Sequence, residues 1–278
     1  SGLFADKTFG DLMRKYRDEI SPKKSPREPA RIDHMIRGWI ADVPLKDLSP
    51  KHFAKWRDER INSVSGSTVE RDMATMAAAI KIGIREWGWL DESPIKGVDR
   101  PQVNPARERL ISQDEIDRVI SVSGYRYDEK PVTVIQRTGA AFLFAIETGM
   151  RDQEITTLTM DRVFLDKRYV HLPREVTKTK AKRDVPLSDE AIRIIKQMDV
   201  KEGLIFGVSA RQVTTAFQRI KIACQIPDLT FHDTRHEAVT RLSKKLDVMD
   251  LARVIGHKNI NQLLVYYNNS AEEIAKRL

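Results

Sequence analysis

Apolar residues in the first hundred positions recur every three or four residues, which predicts a set of packed helices. Thr8, with Asp11 at the third helical position, predicts an N-cap for a helix over residues 9–20. The next stretch, residues 21–29, contains three prolines and predicts a loop. Further apolar stripes predict helices over residues 32–40, 52–61 and 68–87.

A segment without hydrophobic periodicity separates this helical part from the rest of the chain. Residues 94–109 contain three prolines and a glycine, which is typical of a linker. Ser112 and Glu115 then form a capping box ahead of a new apolar stripe. The chain of 278 residues is long enough for two cores. We therefore predict a helical domain over 1–97, a linker over 98–109 and a second domain over 110–278.

The second domain mixes helices with short strands. Residues 140–146 are apolar on all sides, as in a buried helix, and Gly149 predicts its left-handed C-cap. A hairpin is predicted from residues 163–165 and 169–172, and a second strand pair from Val176 and residues 185–187. The basic run 178–183 would form the tip of that second pair, and helices follow from Ser188. The predicted fold class is mainly α with a small antiparallel β-sheet (α+β).

Composition narrows the partners of the protein. The formal net charge of +8 favours a polyanion, because phosphates neutralised by Lys or Arg release counterions. A single cysteine, Cys224, excludes an internal disulfide and a Cys-rich metal site, and it indicates a reducing, cytoplasmic setting. No apolar run approaches the ~18 residues that would indicate a membrane span. We predict a polyanionic partner and no membrane.

Four local patterns carry residues suited to phosphodiester chemistry. Without a metal, such chemistry requires cations for the non-bridging oxygens, a nucleophile, and a proton donor for the leaving alkoxide. The histidines could share protons or donate hydrogen bonds to the phosphate. The patterns are TGMRDQEI with Arg151, Lys178 ahead of Val185-Pro186-Leu187, HDTRH with His232 and Arg235, and Ile255-Gly256-His257 followed by Tyr266.

Each pattern also has a structural interpretation. Arg151 could be a surface partner of Glu154, Lys178 part of a solvated charge run, and His257 a capping or surface residue. His232 and His236 have the spacing of zinc proteases, but Asp233 and Arg235 stand where that chemistry needs other groups. There is no P-loop and no acidic cluster for two metals. We predict no cofactor and no metal.

Together the patterns resemble the tyrosine recombinase (phage integrase) family, which includes phage integrases and shufflon-type invertases. TGMRDQEI resembles its first arginine box, FHDTRHEAVTRL its second, and VIGHKNINQLLVYY its third. The nine-residue spacing from His257 selects Tyr266 over Tyr267. Eight residues before Pro186 the family has a lysine, which selects Lys178, with Lys180 and Lys182 as near alternatives. The resemblance covers residues 107–278; the first hundred resemble the family's core-binding domain only in size, position and helicity.

The resemblance implies a C-shaped DNA clamp that works as a homotetramer on two double-stranded DNA sites. Tyr266 would form a 3′-phosphotyrosine, a reaction that conserves bond energy and lets another 5′-hydroxyl rejoin the strand. The roles implied for the other residues are phosphate binding by Arg151 and Arg235, protonation of the leaving oxygen by Lys178, general base for His232, phosphate hydrogen bonding for His257, and orientation of the arginines by Glu154 and Asp233.

Other functions remain open at this point. A type IB topoisomerase uses the same tyrosine chemistry to relax DNA, and an inactive relative would only bind it. The DNA target, the accessory factors, the presence of an arm-binding domain and the choice among integration, excision, inversion and dimer resolution are not encoded in the motifs. The amphipathic tail, residues 271–278, could dock on a neighbouring subunit or pack in cis.

Overall fold

The computed structural model of the chain describes residues 6–103, 105 and 107–278. It divides into two compact units, Ser1–Ala106 and Arg107–Leu278, and each unit has its own hydrophobic core. The boundary between the units falls inside the predicted linker. Residues 1–5 of the predicted first domain, and positions 104 and 106 of the predicted linker, lie outside the described residues.

The first unit is helical where it is described. Thr8 is the predicted N-cap and forms a capping box with Asp11, whose backbone N–H donates to Thr8 Oγ1 over 3.2 Å. Its elements are α1 (Phe9–Glu19), α2 (Ser21–Lys24), α3 (Glu28–Ile36), α4 (Pro50–Arg60), α5 (Gly66–Ile82), 3₁₀ turns at Trp39–Asp42 and Leu45–Asp47, and a π turn at Gly83–Trp87.

The predicted loop and the predicted end of the next helix were wrong in this unit. The proline-rich stretch contains the helical turn α2, because Pro22 lies in its first turn, where a missing N–H costs nothing. The next helix, α3, ends at Ile36 rather than at residue 40, and the chain turns at Gly38 before the separate 3₁₀ turn. Periodicity alone does not distinguish these breaks from a continuous helix.

The second unit is built around one buried helix. This helix, α7, packs against α6, α9, α10 and α11, which explains why residues 140–146 are apolar on every side. The elements are α6 (Gln113–Ser123), α7 (Val134–Thr148), α8 (Asp152–Thr156), β1 (Val163–Phe164), β2 (Tyr169–Leu172), β3 (Arg183–Pro186), α9 (Asp189–Met198), α10 (Ala210–Ala223), α11 (Asp233–Ser243), α12 (Val248–Ile255), α13 (Ala271–Ala275), and 3₁₀ turns at Met160–Arg162, Ile260–Gln262 and Leu264–Tyr266.

The strands form one three-stranded antiparallel sheet in the order β1-β2-β3. Val170 of β2 pairs with Val163 on one side and with Val185 on the other. The predicted pairing of Val176 with the last strand was wrong, since Val176 lies in a turn and β3 pairs with β2. The predicted fold class, mainly α with a small antiparallel sheet, is confirmed. Among the described residues, no helix is both long and apolar enough to cross a bilayer.

Candidate active site

Arg235 is a buried cation at the centre of the site. It lies in the first turn of α11 and is 5% exposed. Its Nη1 donates to the carbonyl oxygen of Gly149 over 2.5 Å and its Nη2 to that of Ile255 over 2.7 Å. Burial, with the charges of Arg151 and Arg183, lowers the pKa of Arg235 to about 9, so it keeps its charge at neutral pH. A buried cation hydrogen-bonded to neutral carbonyls is well suited to receive an anion.

Gly149 fixes the turn between α7 and Arg151. It adopts a φ of +67° at the predicted left-handed C-cap, and a Cβ there would lie 2.7 Å from Cδ1 of Ile255. Glycine therefore allows α7, α12 and the start of α8 to meet at one point. Both carbonyls that accept from Arg235 belong to this junction, the C-terminal ends of α7 and α12.

Arg151 is the N-cap residue of α8 and is tied to Glu154. The Arg151 backbone N–H donates to Glu154 Oε2 over 2.9 Å, and Nη1 donates to Oε1 over 3.2 Å. The side chain of Glu154 is only 1% exposed, so the pair is not the surface salt bridge considered as an alternative. The carboxylate therefore holds the first arginine in place.

Arg183 holds the same carboxylate from the other side. Its Nη1 and Nη2 donate to Glu154 over 2.8 and 2.7 Å, and its Nε donates to the carbonyl of Val254. Burial opposes the charge of Glu154, but Arg183, helped by Arg151, leaves the pKa of Glu154 below its usual range. The basic run 178–183 was predicted to form the tip of a strand pair, which was wrong for Arg183, because it lies in β3 and is buried.

Two histidines lie close to the arginine pair. His232 is the N-cap residue of α11 and lines a cavity of about 170 Å³ together with Arg151 and Arg235. His257 follows Gly256, the left-handed C-cap of α12, and is half-buried. Burial, and then the charges of Arg235 and Arg151, lower the pKa of both imidazoles. An anion in the cavity would offset that repulsion.

We expect both imidazoles to titrate below their ordinary pKa of 6.5 in the free protein. A histidine whose folded pKa is lowered stabilises the fold fully above 6.5, and this contribution is lost as the pH falls towards the folded pKa. NMR titration of the imidazole signals, assigned with His232→Asn and His257→Asn, measures this. Bound DNA should raise both pKa values, and a free-protein pKa at or above 6.5 would contradict the expectation.

Tyr266 is placed against α11 by a hydrogen bond. Its hydroxyl lies 2.8 Å from Nδ1 of His236, and the two ring centroids are 5.6 Å apart. Burial and the charge of Glu108 raise the pKa of Tyr266. The neighbouring Tyr267 instead donates its hydroxyl to the backbone carbonyl of Leu246 over 2.7 Å. Of the two tyrosines, Tyr266 is the one whose hydroxyl contacts a side chain that can accept a proton.

Lys178 lies in an exposed turn between β2 and β3. The turn is closed by Thr177, whose Oγ1 donates to the carbonyl of Ala181 over 2.9 Å and accepts from the Ala181 N–H over 3.1 Å. Lys180 and Lys182 are exposed as well. The choice of Lys178 among the three stays a prediction.

Two residues noted in the sequence, Asp233 and His236, make contacts that were not predicted. Asp233 was expected to orient the arginines of the site, but its carboxylate accepts from Arg107, over 2.6 and 2.9 Å, and from the Thr230 N–H. These hydrogen bonds fix the start of α11. His236 was noted only because its spacing from His232 resembles that of zinc ligands. The same spacing places His236 one helical turn beyond His232, and it was the feature of the sequence that could have pointed to a second histidine in the site.

Comparisons with known proteins point to one family. The family model described as "Phage integrase family" matches residues 109–273. A putative integrase/recombinase of Haemophilus influenzae is 35% identical over all of this chain and 92% of its own length. The shufflon-specific DNA recombinase of Escherichia coli is 30% identical over 96% of this chain and 70% of its own length.

The fold is shared with a solved structure as well. The Tn1549 transposon integrase, in complex with a circular intermediate DNA, superposes with a TM-score of 0.77 at 18% identity, over 98% of this chain and 100% of that one. The chain belongs to the phage integrase family. The resemblance inferred from the four motifs is thereby confirmed.

Proposed function

We propose that this chain cuts and rejoins DNA strands at specific sites through a 3′-phosphotyrosine at Tyr266. As a member of its family the protein is a site-specific tyrosine recombinase. The observation that carries the proposed mechanism is the cavity lined by Arg151, His232 and Arg235. The helix α11, which carries His232 and Arg235, also holds the hydroxyl of Tyr266 through its His236. Such an arrangement can bind a phosphodiester and attack it without a metal.

The arginine pair would bind the two non-bridging oxygens of the scissile phosphate. Guanidinium groups bind phosphate bidentately and remain charged while negative charge grows on those oxygens in the transition state. Arg235 is held rigidly by two carbonyls and Arg151 by Glu154, so neither needs to reorganise during the reaction.

The remaining site residues supply hydrogen bonds and protons. His257 would donate a hydrogen bond to the phosphate, and His232 was expected to serve as general base for the tyrosine. Lys178, on its exposed turn, would protonate the leaving 5′-oxygen; Lys180 and Lys182 are the alternatives. These assignments rest on the family resemblance and on the residue types present.

Strand exchange follows from this chemistry. Tyr266 Oη forms a bond to phosphorus, the bond to the 5′-oxygen breaks, and a 5′-hydroxyl from a second duplex reverses the step. Two duplexes and four active sites would therefore assemble, as a homotetramer on two DNA sites. Ile274 in the tail helix α13 is 48% exposed, and it offers an apolar contact to a neighbouring subunit of such an assembly.

The test is covalent capture followed by mapping of the bond. The chain is incubated with a library of randomised duplexes carrying a fixed nick, so that the short 5′-hydroxyl strand diffuses away after cleavage. Denaturation-resistant adducts are recovered, their DNA is sequenced, and the linked peptide is identified by mass spectrometry. We expect one sequence class, joined through a 3′-phosphate to the peptide containing Tyr266.

Other results would overturn the proposal. Tight DNA binding without any adduct would make the chain a binding protein, and a 5′-linkage would exclude this mechanism. Relaxation of supercoiled plasmids of arbitrary sequence by the monomer would instead indicate a topoisomerase.

A further inference from the structure

The hydroxyl of the proposed nucleophile has a specific partner, His236, which the proposed mechanism does not use. The distance from Tyr266 Oη to His236 Nδ1 is 2.8 Å, within the range of a good hydrogen bond. The rings are inclined at 52° and are in contact. A nucleophile and a base within hydrogen-bond distance are the usual sign of an activated nucleophile.

The two histidines of α11 face different parts of the site. His232 and His236 are four residues apart, hence on the same side of the helix, with Cβ atoms about 5–6 Å apart. His232 lines the cavity with Arg151 and Arg235, whose charges act on its imidazole. His236 contacts Tyr266, whose charged neighbour is Glu108. One histidine therefore serves the phosphate end of the site and the other serves the nucleophile.

We propose, building on the proposed recombinase function, that His236 is the proton acceptor for Tyr266. As Oη forms its bond to phosphorus, the phenol proton moves to Nδ1 of His236. At the same time the bond from phosphorus to the 5′-oxygen breaks, and Lys178, the proposed general acid, protonates that oxygen. When an incoming 5′-hydroxyl attacks the phosphotyrosine, the His236 imidazolium returns the proton to the phenol oxygen. His232 is then left to contact the phosphate.

The structure makes His236 suitable for this transfer. A neutral imidazole with its proton on Nε2 presents Nδ1 as an acceptor towards the phenol. His236 directly follows Arg235, and the start of α11 is fixed by Arg107 through Asp233. His236, the proposed proton acceptor, is therefore held at a fixed position relative to Arg235, the proposed phosphate-binding cation. Nucleophile, acceptor and cation all depend on one helix.

The test compares His236→Asn with the matched variant His232→Asn. The asparagine side chain can place an oxygen near the position of Nδ1, so at residue 236 it can keep the hydrogen bond to Tyr266 but cannot take up a proton. On the DNA sequence recovered by covalent capture, single-turnover cleavage by His236→Asn should fall by about 10²–10⁴-fold. Thermal unfolding and DNA affinity are measured alongside and should match the native chain.

Each variant is then made with a fluorinated tyrosine at position 266, chosen so that its phenol ionises near neutral pH. An ionised phenol needs no proton acceptor, so the defect of His236→Asn should largely disappear, whereas that of His232→Asn should persist. Native-like cleavage by His236→Asn overturns the proposal. A defect that the fluorinated tyrosine does not relieve, or relief in His232→Asn instead, also overturns it. Failure of the recombinase function itself would be seen separately, as absence of an adduct from the native chain.

Discussion

Replacing Tyr266 by phenylalanine is expected to abolish the covalent protein–DNA adduct. The change removes one oxygen atom and keeps the ring, so it breaks the hydrogen bond to His236 and preserves the packing of the ring against the imidazole. That bond contributes about 0.5–1.5 kcal/mol to stability, which leaves the fold intact. Without its nucleophile the chain should cleave more slowly on the order of 10⁶-fold, as measured for nucleophile removal in a hydrolase.

The adjacent tyrosine provides the matched control. Tyr267→Phe also removes one hydroxyl, the one that donates to the Leu246 carbonyl, and should lower stability by about 1 kcal/mol. It should still form the adduct on the nicked duplex. An adduct that persists in Tyr266→Phe and disappears in Tyr267→Phe would move the nucleophile by one residue and invalidate the proposed site.

Replacing Arg183 by methionine is expected to destabilise the second unit strongly. Glu154 is 1% exposed in its side chain and would be deprived of its two shortest hydrogen bonds, leaving a buried carboxylate with Arg151 alone. Breaking a buried ion pair from one side typically costs about 3–5 kcal/mol. The change also releases β3 from the carbonyl of Val254, next to the end of α12 that precedes His257.

The first unit provides an internal reference for measuring how much Arg183→Met destabilises the second unit. All four tryptophans, at positions 39, 56, 87 and 89, lie in the first unit, so their fluorescence in a urea titration reports that unit. Hydrogen exchange in α7 and α12 reports the second unit. We expect Arg183→Met to lower protection in the second unit and to leave the tryptophan transition unchanged.

An exposed arginine tests whether burial is the cause. Arg168 pairs with Asp189 over 2.7 Å, but the side chains are 53% and 93% exposed. Arg168→Met should cost about 0–1 kcal/mol, since solvent screens such pairs. Equal destabilisation by Arg168→Met and Arg183→Met would contradict the structural account of Glu154.

Local interactions explain what could be predicted from the sequence. The N-cap at Thr8, the capping box at Ser112 and the left-handed turn at Gly149 depend on residues within four positions of each other, and all three were predicted and found. The family and its motif order were equally accessible, because the spacing between His257 and Tyr266 is a property of the chain. The buried helix α7 was also evident, since only a central position explains apolar residues on all sides.

Long-range contacts decided the rest. The basic run 178–183 looks uniformly solvated in sequence, yet Arg183 is buried because it lies on the inward face of β3, which pairs with β2, and its guanidinium contacts Glu154. The resemblance implied His232 as the base for Tyr266, but the Tyr266 hydroxyl is hydrogen-bonded to His236, one turn further along α11. Thus the sequence by itself determined the family, the helices and the reactive residue types. Only the tertiary structure decided which charge is buried and which histidine contacts the nucleophile, because these depend on packing between segments far apart in the chain.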